Sequence, residues 1–362
     1  MKHYAICCAL LLGFWGCSNE SANVSTDAAP PFEEIMKIDI HAHVFQDMDG
    51  LPALLEQNKL RITNVCVMGT DPAQMQQMEA GAEMLLQAYG KLFPFASTFD
   101  VSKRNDPDYH QQVISWLDKT FDAGAIMVKI WKEVGMQIKS PDGTFIMPDD
   151  VLFDPIYDHL EKRSIPLLAH LAEPKAAWMP LDPASPHYPY YSKNPEFHMY
   201  GKTEYPSWDE IIAARDNVLK KHPGLTFIGA HMGSMAYDVD VVADRLDKYP
   251  NFYAECSART KDMSLQSADK VRKFMIKYQD RVLYGTDIVK FPGRDDADMP
   301  PDQRIPDALA VIDVYRRDYQ YYAGTGAMEF NGNQVDCLGL PKDVLEKFYS
   351  KNALRLVPGL SE

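Results

Sequence analysis

A (β/α)8 TIM barrel in a single domain is the fold class this sequence predicts, and three observations carry the prediction. Short apolar runs with strand character recur along the chain, eight in all, and most precede a stretch with helical spacing. Eight parallel strands covered by helices is the number that closes into a ring, and 362 residues accommodate such a ring with extensions. His41, His43, His170, His231 and Asp287, residue types with metal-ligand or acid–base chemistry, fall at the ends of these runs, and the C-terminal strand ends are where a barrel keeps its active site. An open doubly wound sheet is the competitor, but it calls for a Gly-rich phosphate loop after its first strand, and none is present.

The first strand, residues 37–44, reads K-I-D-I-H-A-H-V. Side chains two apart on a strand share a face, so His41 and His43 can project toward one point, where two neutral imidazoles suit a divalent transition metal. The pair alone leaves a second reading open, one imidazole capping the strand and the other packing. Residues 62–68 (I-T-N-V-C-V-M) make the second strand by their β-branched content, and a helix over 71–88 follows, with Asp71 as its cap and Pro72 at its first position. A third strand at 92–98 precedes a helix at 108–121, on which Val113, Ile114, Leu117 and Phe121 share a face. The fourth strand, 125–131 (A-I-M-V-K-I-W), leads to a helix at 154–162; the fifth, 165–170 (I-P-L-L-A-H), leads through a long connection to a helix at 208–221. Strand six (225–231, L-T-F-I-G-A-H) is followed by a helix at 239–248, strand seven (251–256) by one at 269–278, and strand eight (281–287, R-V-L-Y-G-T-D) by one at 306–319. A last helix at 342–356 closes the chain, and residues 321–340 before it are an insertion whose role the sequence does not disclose.

With 46% hydrophobic and 24% charged residues, the composition is that of a globular chain with a large core. A formal net charge of −14 without any basic block excludes nucleic acid and anionic membrane surfaces as partners. Residues 1–16 read as an export signal, with Lys2 ahead of an apolar stretch at 4–14 too short to span a bilayer. The junction Gly16-Cys17 and the polar run after it resemble a bacterial lipoprotein signal. Residues 17–33 are therefore expected to be a lipidated Cys17 and a flexible tether, and residues 34–358 the barrel. The expected location is the bacterial cell envelope, lipid-anchored, periplasmic or surface-exposed, with the membrane contacted through the anchor alone. Beyond the signal remain Cys66, Cys256 and Cys337, too widely spaced for a disulfide framework or a thiolate metal site. Cys66 and Cys256 lie in apolar runs and suit core packing.

The set H-A-H on strand one, A-H-L on strand five, G-A-H-M-G on strand six and L-Y-G-T-D on strand eight resembles, in that order, the amidohydrolase superfamily. More narrowly it is similar to the amidohydrolase-2 branch, which includes aminocarboxymuconate semialdehyde decarboxylase-like enzymes and several lactonases. The likeness covers roughly residues 35–357. The resemblance implies that His41, His43, His170 and Asp287 bind one divalent metal, zinc foremost, with His231 beside it as a general acid or base. The chemistry agrees with that division: a metal lowers the pKa of its water toward about 7, Asp287 can accept the proton, and an imidazole with an unperturbed pKa near ~6.5 can shuttle it. Lys129, on strand four, has two readings. In binuclear members of the superfamily a carbamylated lysine on that strand bridges to a second metal. The branch resembled has one metal, which leaves Lys129 cationic and facing a carboxylate. Lys132, further along, reads as an exposed or substrate-facing charge.

Specificity belongs to the loops. Residues 172–206 carry Trp178, His187, Tyr190, Tyr191, Phe197 and other aromatics that suit a lid over a ring-shaped substrate, and suit equally a packed loop or a homo-oligomer contact. Arg259, just beyond strand seven, can anchor a substrate carboxylate bidentately, with a surface salt bridge as the alternative. Trp131 and Glu173 are placed near strand ends to line the same pocket. The expected activity is metal-dependent hydrolysis of an ester, lactone or amide of a small organic molecule. The alternatives are non-oxidative decarboxylation of a small aromatic or unsaturated acid, and a catalytically retired lipoprotein that binds a glycan or small molecule at the surface.

Overall fold

The computed structural model describes residues 29–67, 72–292 and 305–361. In it the strands are β1 (Lys37–Val44), β2 (Leu60–Val65), β3 (Phe95–Ser97), β4 (Ala125–Ile130), β5 (Leu167–Ala169), β6 (Phe227–Gly229), β7 (Phe252–Glu255), β8 (Val282–Leu283) and β9 (Val289–Lys290). All pair in parallel, in the order β8-β7-β6-β5-β4-β3-β2-β1-β9. The eighth strand, expected at 281–287, is the short β8 on β7, and the ring closes through a further strand beyond those residues, β9 on β1. Between them Asp287 takes a left-handed backbone, φ 65°, and its N–H donates to the His41 carbonyl at 2.7 Å. The interruption thus presents a site residue and still seams the barrel.

Strict alternation along β1 would put His41 on the same side as Asp39. It does not hold, because the pairing of β1 with β2 shifts register between Asp39 and Ala42, and such a bulge re-aims the side chains that follow it. Ile38 and Ile40 pack with Leu168, Ile228 and Leu283 inside the ring, whereas Ala42 and Val44 join the larger cluster under the helices. Asp39 instead reaches the outer helix Ala308–Ala323, accepting from the Tyr315 hydroxyl at 2.8 Å. The bulge turns both histidines inward.

Helices Trp208–Lys221 and Val239–Lys248 occupy the expected residues. The first starts on a capping box, in which Ser207 Oγ accepts from the Glu210 N–H and Glu210 answers the Ser207 N–H. The polar segment after β1 contains a short helix, Leu51–Gln57, that the sequence reading did not anticipate. Asp71, expected as a helix cap, lies outside the described residues, and helix Pro72–Tyr89 follows it. The insertion resolves into the end of helix Ala308–Ala323 and an antiparallel hairpin, β10 (Ala327–Phe330) and β11 (Asn333–Asp336). Its turn is Asn331-Gly332, both left-handed with φ 49° and 81°, the residue pair such two-residue turns favour.

The export signal, Cys17 and the tether as far as residue 28 lie outside the described residues. The described part of the tether packs on the barrel: Phe32 is buried edge-on against Tyr319, whose hydroxyl donates to the Pro30 carbonyl. At the other terminus Leu356, Val357 and Leu360 join Ile38, Ile126 and Leu283 and plug the N-terminal end of the ring. Cys66 and Cys256 are buried free thiols, and Cys337 is a half-buried one. No helix among the described residues is long and apolar enough to cross a membrane.

Candidate metal centre and active site

His41 and His43 leave the end of β1 with one ring nitrogen each already committed. His43 Nδ1 lies 2.7 Å from the Val65 carbonyl, which only accepts, so that nitrogen carries the proton and Nε2 keeps a lone pair. His41 Nδ1 lies 2.9 Å from Glu255 Oε1 and is fixed the same way. Both Nε2 atoms face Asp287 Oδ1, at 3.2 Å from His43 and 3.6 Å from His41. Three electron-pair donors pointing at each other repel unless a cation sits among them. Their spacing matches the ~3.3 Å between donors around a tetrahedral ion with bonds of about 2 Å. Burial and facing lone pairs would both raise the Asp287 carboxyl, and only positive charge at this point, on the His43, His231 and His41 imidazoles or on an ion in their place, holds it below the usual carboxylate range. A carboxylate and two neutral imidazoles, each oriented by a buried acceptor behind it, fit a divalent metal.

His170 and His231 stand beside this trio. The Ser257 carbonyl, 2.8 Å from His231 Nδ1, fixes the proton there. His231 Nε2 therefore accepts from His170 Nδ1 at 3.2 Å, which leaves His170 Nε2 a buried lone pair with no partner among the described residues. His170 belongs to neither His-carboxylate group at this rim, one being His41, His43 and Asp287 and the other His41, His231 and Glu255. The structure brings three of the four expected ligands into one group and places the fourth next to it. Burial and the nearby Arg259 guanidinium push the His231 imidazole well below its ordinary value, and it is neutral.

His231 does not end a strand. It opens a left-handed turn, His231 (φ 57°), Met232 (φ 58°), Gly233 (φ 62°) and Ser234 (φ 62°). L-residues resist this conformation by roughly 1–2 kcal/mol each, so the turn needs holding. The His231 N–H donates to Glu255 Oε1 at 2.9 Å, the buried Arg215 donates to the Gly233 carbonyl at 2.8 Å, and Ser234 Oγ donates to the carbonyls of Leu171 and Ala172.

Glu255 and Ser257 escaped the sequence reading. Glu255, at the end of β7, accepts from the His41 ring, the His231 N–H, and the Ser257 N–H and hydroxyl. Burial alone would raise its carboxyl, yet His41 and the other donors hold it at about 2. A Cβ at Gly285 would lie 2.8 Å from Glu255 Oε2 and 3.1 Å from His41 Cβ, so glycine is what lets these two pack. The signal available in the sequence was register, since Glu255 ends its apolar run as the histidines end theirs.

Lys129, fully buried on β4, points Nζ at His41 Nε2 from 3.1 Å. Burial lowers its pKa to about 8, so surrendering the proton to make way for a metal at that nitrogen costs little. Lys132 corrects the expectation of an exposed or substrate-facing charge. It is buried, ion-paired with Glu173, bonded to the Tyr190 hydroxyl and 3.6 Å over the Phe197 ring. Glu173 also accepts from the Tyr191 hydroxyl, so both charges tie the 172–206 loop down. Trp131 packs edge-on to Phe197 in the same seam, and Trp178 donates its indole N–H to the Pro206 carbonyl at the far end of the loop. Arg259 corrects the surface-salt-bridge alternative: it is buried and forms no ion pair among the described residues. The hairpin tip, Phe330 and Asn331, lines a cavity of about 50 Å³ together with Thr286 and Asp287.

Solved structures share this architecture at low identity. An uncharacterised TIM-barrel protein from Bordetella bronchiseptica is 16% identical, covers 91% of this chain and 100% of its own, and superposes with a TM-score of 0.51. A 2,6-dihydroxybenzoate decarboxylase solved with 2,6-dihydroxybenzoate is 15% identical over 90% of this chain and 99% of its own, with a TM-score of 0.52. A 4-oxalomesaconate hydratase from Rhodopseudomonas palustris is 14% identical over 90% and 97%, with a TM-score of 0.50. These likenesses establish the barrel. No protein with a curated description matches the chain. The family model described as "Amidohydrolase" matches residues 38–359, nearly the whole described barrel, and the chain belongs to that family.

Proposed function

We propose that this protein is a metal-dependent hydrolase of small organic esters, lactones or amides, with one divalent ion, zinc by preference, held by His41, His43, His170 and Asp287. The supporting observation is the convergence of the two Nε2 lone pairs on Asp287 Oδ1, each imidazole locked from behind by an acceptor. A donor set of three imidazoles and one carboxylate suits zinc. When bound, such an ion supplies Lewis acidity, polarising a carbonyl oxygen or making a water acidic near neutral pH.

The remaining work falls to the chain itself. Glu255 and the Val65 carbonyl fix the tautomers of His41 and His43, so the donor atoms are aimed before anything binds. Asp287, with a partly open carboxylate, accepts a proton at the rim. His231 is neutral and its Nε2 is the acceptor nitrogen. Here that atom takes the His170 N–H, so service as a base requires this contact to yield as substrate enters. Lys129, Trp131 and Trp178 are proposed to border the substrate, Lys129 at the centre and the two indoles through the 172–206 loop they pack. The lipid anchor on Cys17 and an envelope location belong to the same proposal, and radiolabelled palmitate retained by the wild type and lost on Cys17→Ala would support them.

Lys129 favours a second reading. A buried amine beside the reaction centre can hold a substrate carboxylate, as non-oxidative decarboxylation of an aromatic or unsaturated acid requires. Assay of lactones and aryl esters against aryl carboxylates separates the two, because carbon dioxide release without ester cleavage reverses the order.

A further inference from the structure

Asp39, on β1, is fully buried, and no cation pairs with it among the described residues. Its carboxylate is met by four donors instead. Oδ1 accepts the backbone N–H of His41 at 2.9 Å and that of Thr286 at 3.2 Å. Oδ2 accepts the hydroxyl of Thr286 and, at 2.8 Å, that of Tyr315 on helix Ala308–Ala323. Burying a carboxylate is costly, and an apolar side chain would fill the same space at less cost. An apolar side chain could not, however, join the backbone of β1 to the segment that leads into Asp287.

Both of the joined segments are irregular. β1 shifts register against β2 between Asp39 and Ala42, and the His41 N–H falls within that interruption. Asp287 lies in the break between β8 and β9 with φ 65°, a conformation that L-residues resist. One backbone bond crosses between the two directly, from the Asp287 N–H to the His41 carbonyl at 2.7 Å. Asp39 adds a second crossing, since one carboxylate grips the N–H of His41 and both the N–H and the hydroxyl of Thr286. Thr286 Oγ1 in turn accepts from the Ile288 N–H at 3.3 Å, so the residues on either side of Asp287 are tied together.

We propose that Asp39 is a positioning residue of the metal centre, which with Thr286 and Tyr315 sets the placement of Asp287 against His41, where Oδ1 and Nε2 stand 3.6 Å apart. The inference rests on the reading of this rim as a metal site and adds to it three residues that supply no ligand atom. Because Tyr315 belongs to an outer helix, the ligand geometry is braced by the helical layer as well as by the ring. Without the brace the ligands are all still present, but Asp287 samples a wider range of positions. Metal is then held more weakly and in an altered geometry.

Cobalt(II) titration of the metal-free full chain, followed by visible absorption, tests this. The cobalt bands report coordination geometry, which a loss of stability alone does not move. Thr286→Val, which deletes the hydroxyl, is expected to shift the bands and weaken cobalt binding about 10-fold, and Thr286→Ser to keep both at the wild-type values. Asp39→Asn sets an NH2 against two hydroxyls, is expected to act in the same direction, and serves if Thr286→Val does not fold. Tyr157→Phe is the control. It removes a buried hydroxyl that donates to the Pro148 carbonyl at 3.0 Å from helix Asp154–Arg163, so stability is expected to fall while the cobalt spectrum stays as in the wild type. The proposal is overturned if folded Thr286→Val and Asp39→Asn both give the wild-type spectrum and affinity, or if Thr286→Ser changes them as Thr286→Val does. Amide exchange of the metal-free protein reads the brace without an ion: Thr286→Val is expected to accelerate exchange at residues 41 and 286–288 above the rest of the barrel, and a uniform rise would overturn the brace. A wild type that takes up no cobalt but shows this local exchange would sink the metal reading alone. Cobalt uptake indifferent to these substitutions would sink the brace alone.

Discussion

Glu255 and His41, separated by 214 positions in the sequence, meet inside the barrel with Oε1 2.9 Å from Nδ1. The same carboxylate takes the backbone N–H of His231 and both the N–H and hydroxyl of Ser257, so one side chain fixes the His41 ring and the backbone on which His231 turns. Glu255→Gln replaces an acceptor by an NH2 donor that must face an N–H. Removing such an orienting partner typically costs about 10–100-fold in metal affinity, and competition with a chromogenic chelator is expected to show a loss of that size. Unchanged affinity in the folded variant would mean that Glu255 is packing and nothing more.

Lys129 and a metal compete for the same nitrogen of His41. With one metal per site, Lys129→Met is expected to retain the full complement of zinc, bound at least as tightly as in the wild type, while turnover falls. Metal analysis alongside intact-protein mass decides this. Loss of metal in the variant, together with about 44 extra mass units on the wild type under native conditions, the mass of one carbon dioxide, would instead identify a carbamylated lysine and a second ion.

Much of this centre was legible in the sequence because apolar periodicity fixes where strands end, and His41, His43, His170 and Asp287 lie at or just past those ends, with His231 two residues beyond its own. What escaped was set by tertiary contact. Lys132 looks like a surface charge until Phe197, Tyr190 and Glu173 close over it, and none of these is a neighbour in the chain. Glu255 ends an apolar run like any solvated acid, and only the fold places His41 and Ser257 against it. The bulge that turns the histidines inward depends on the register of β2, which no pattern within β1 encodes. The hairpin did leave a local sign, Asn331-Gly332 between short alternating runs, that went unread.

Arg215 is 1% exposed, bonded to Asp216 and to the Gly233 carbonyl at the back of the left-handed turn. Arg215→Met leaves Asp216 with the longer contact to Arg245 Nε, 3.6 Å, and frees the turn, and a broken buried pair costs on the order of 3 kcal/mol. Chemical denaturation is expected to show a loss of that order, and amide exchange to accelerate most at residues 231–235. Exchange that rises uniformly along the barrel would deny Arg215 a specific hold on His231.

Glu79 is 3% exposed, and burial lifts its carboxyl from 4.5 to about 7, against the opposing hydrogen bond from Ser97. The folded state therefore holds this proton more tightly than the unfolded state does. Its contribution, on the order of 3 kcal/mol, is full below pH 4.5 and lost as pH rises through about 7. Glu79→Gln is expected to reduce, in denaturant titrations, the fall in stability across that window, which the buried Asp39 and Glu133 carboxyls, also raised to about 7, share. A wild-type-like slope in the variant would place the titrating group elsewhere.

The claim on which the functional account depends is that a cation belongs among His41, His43, His170 and Asp287, and metal content per chain measures it most directly. Protein purified with zinc supplied, then dialysed, is expected to retain one equivalent. His43→Ala and Asp287→Asn, folded by circular dichroism, are expected to retain little or none. A wild type that releases all its metal on dialysis, or variants that hold as much as the wild type, would contradict the assignment of this rim as a metal centre.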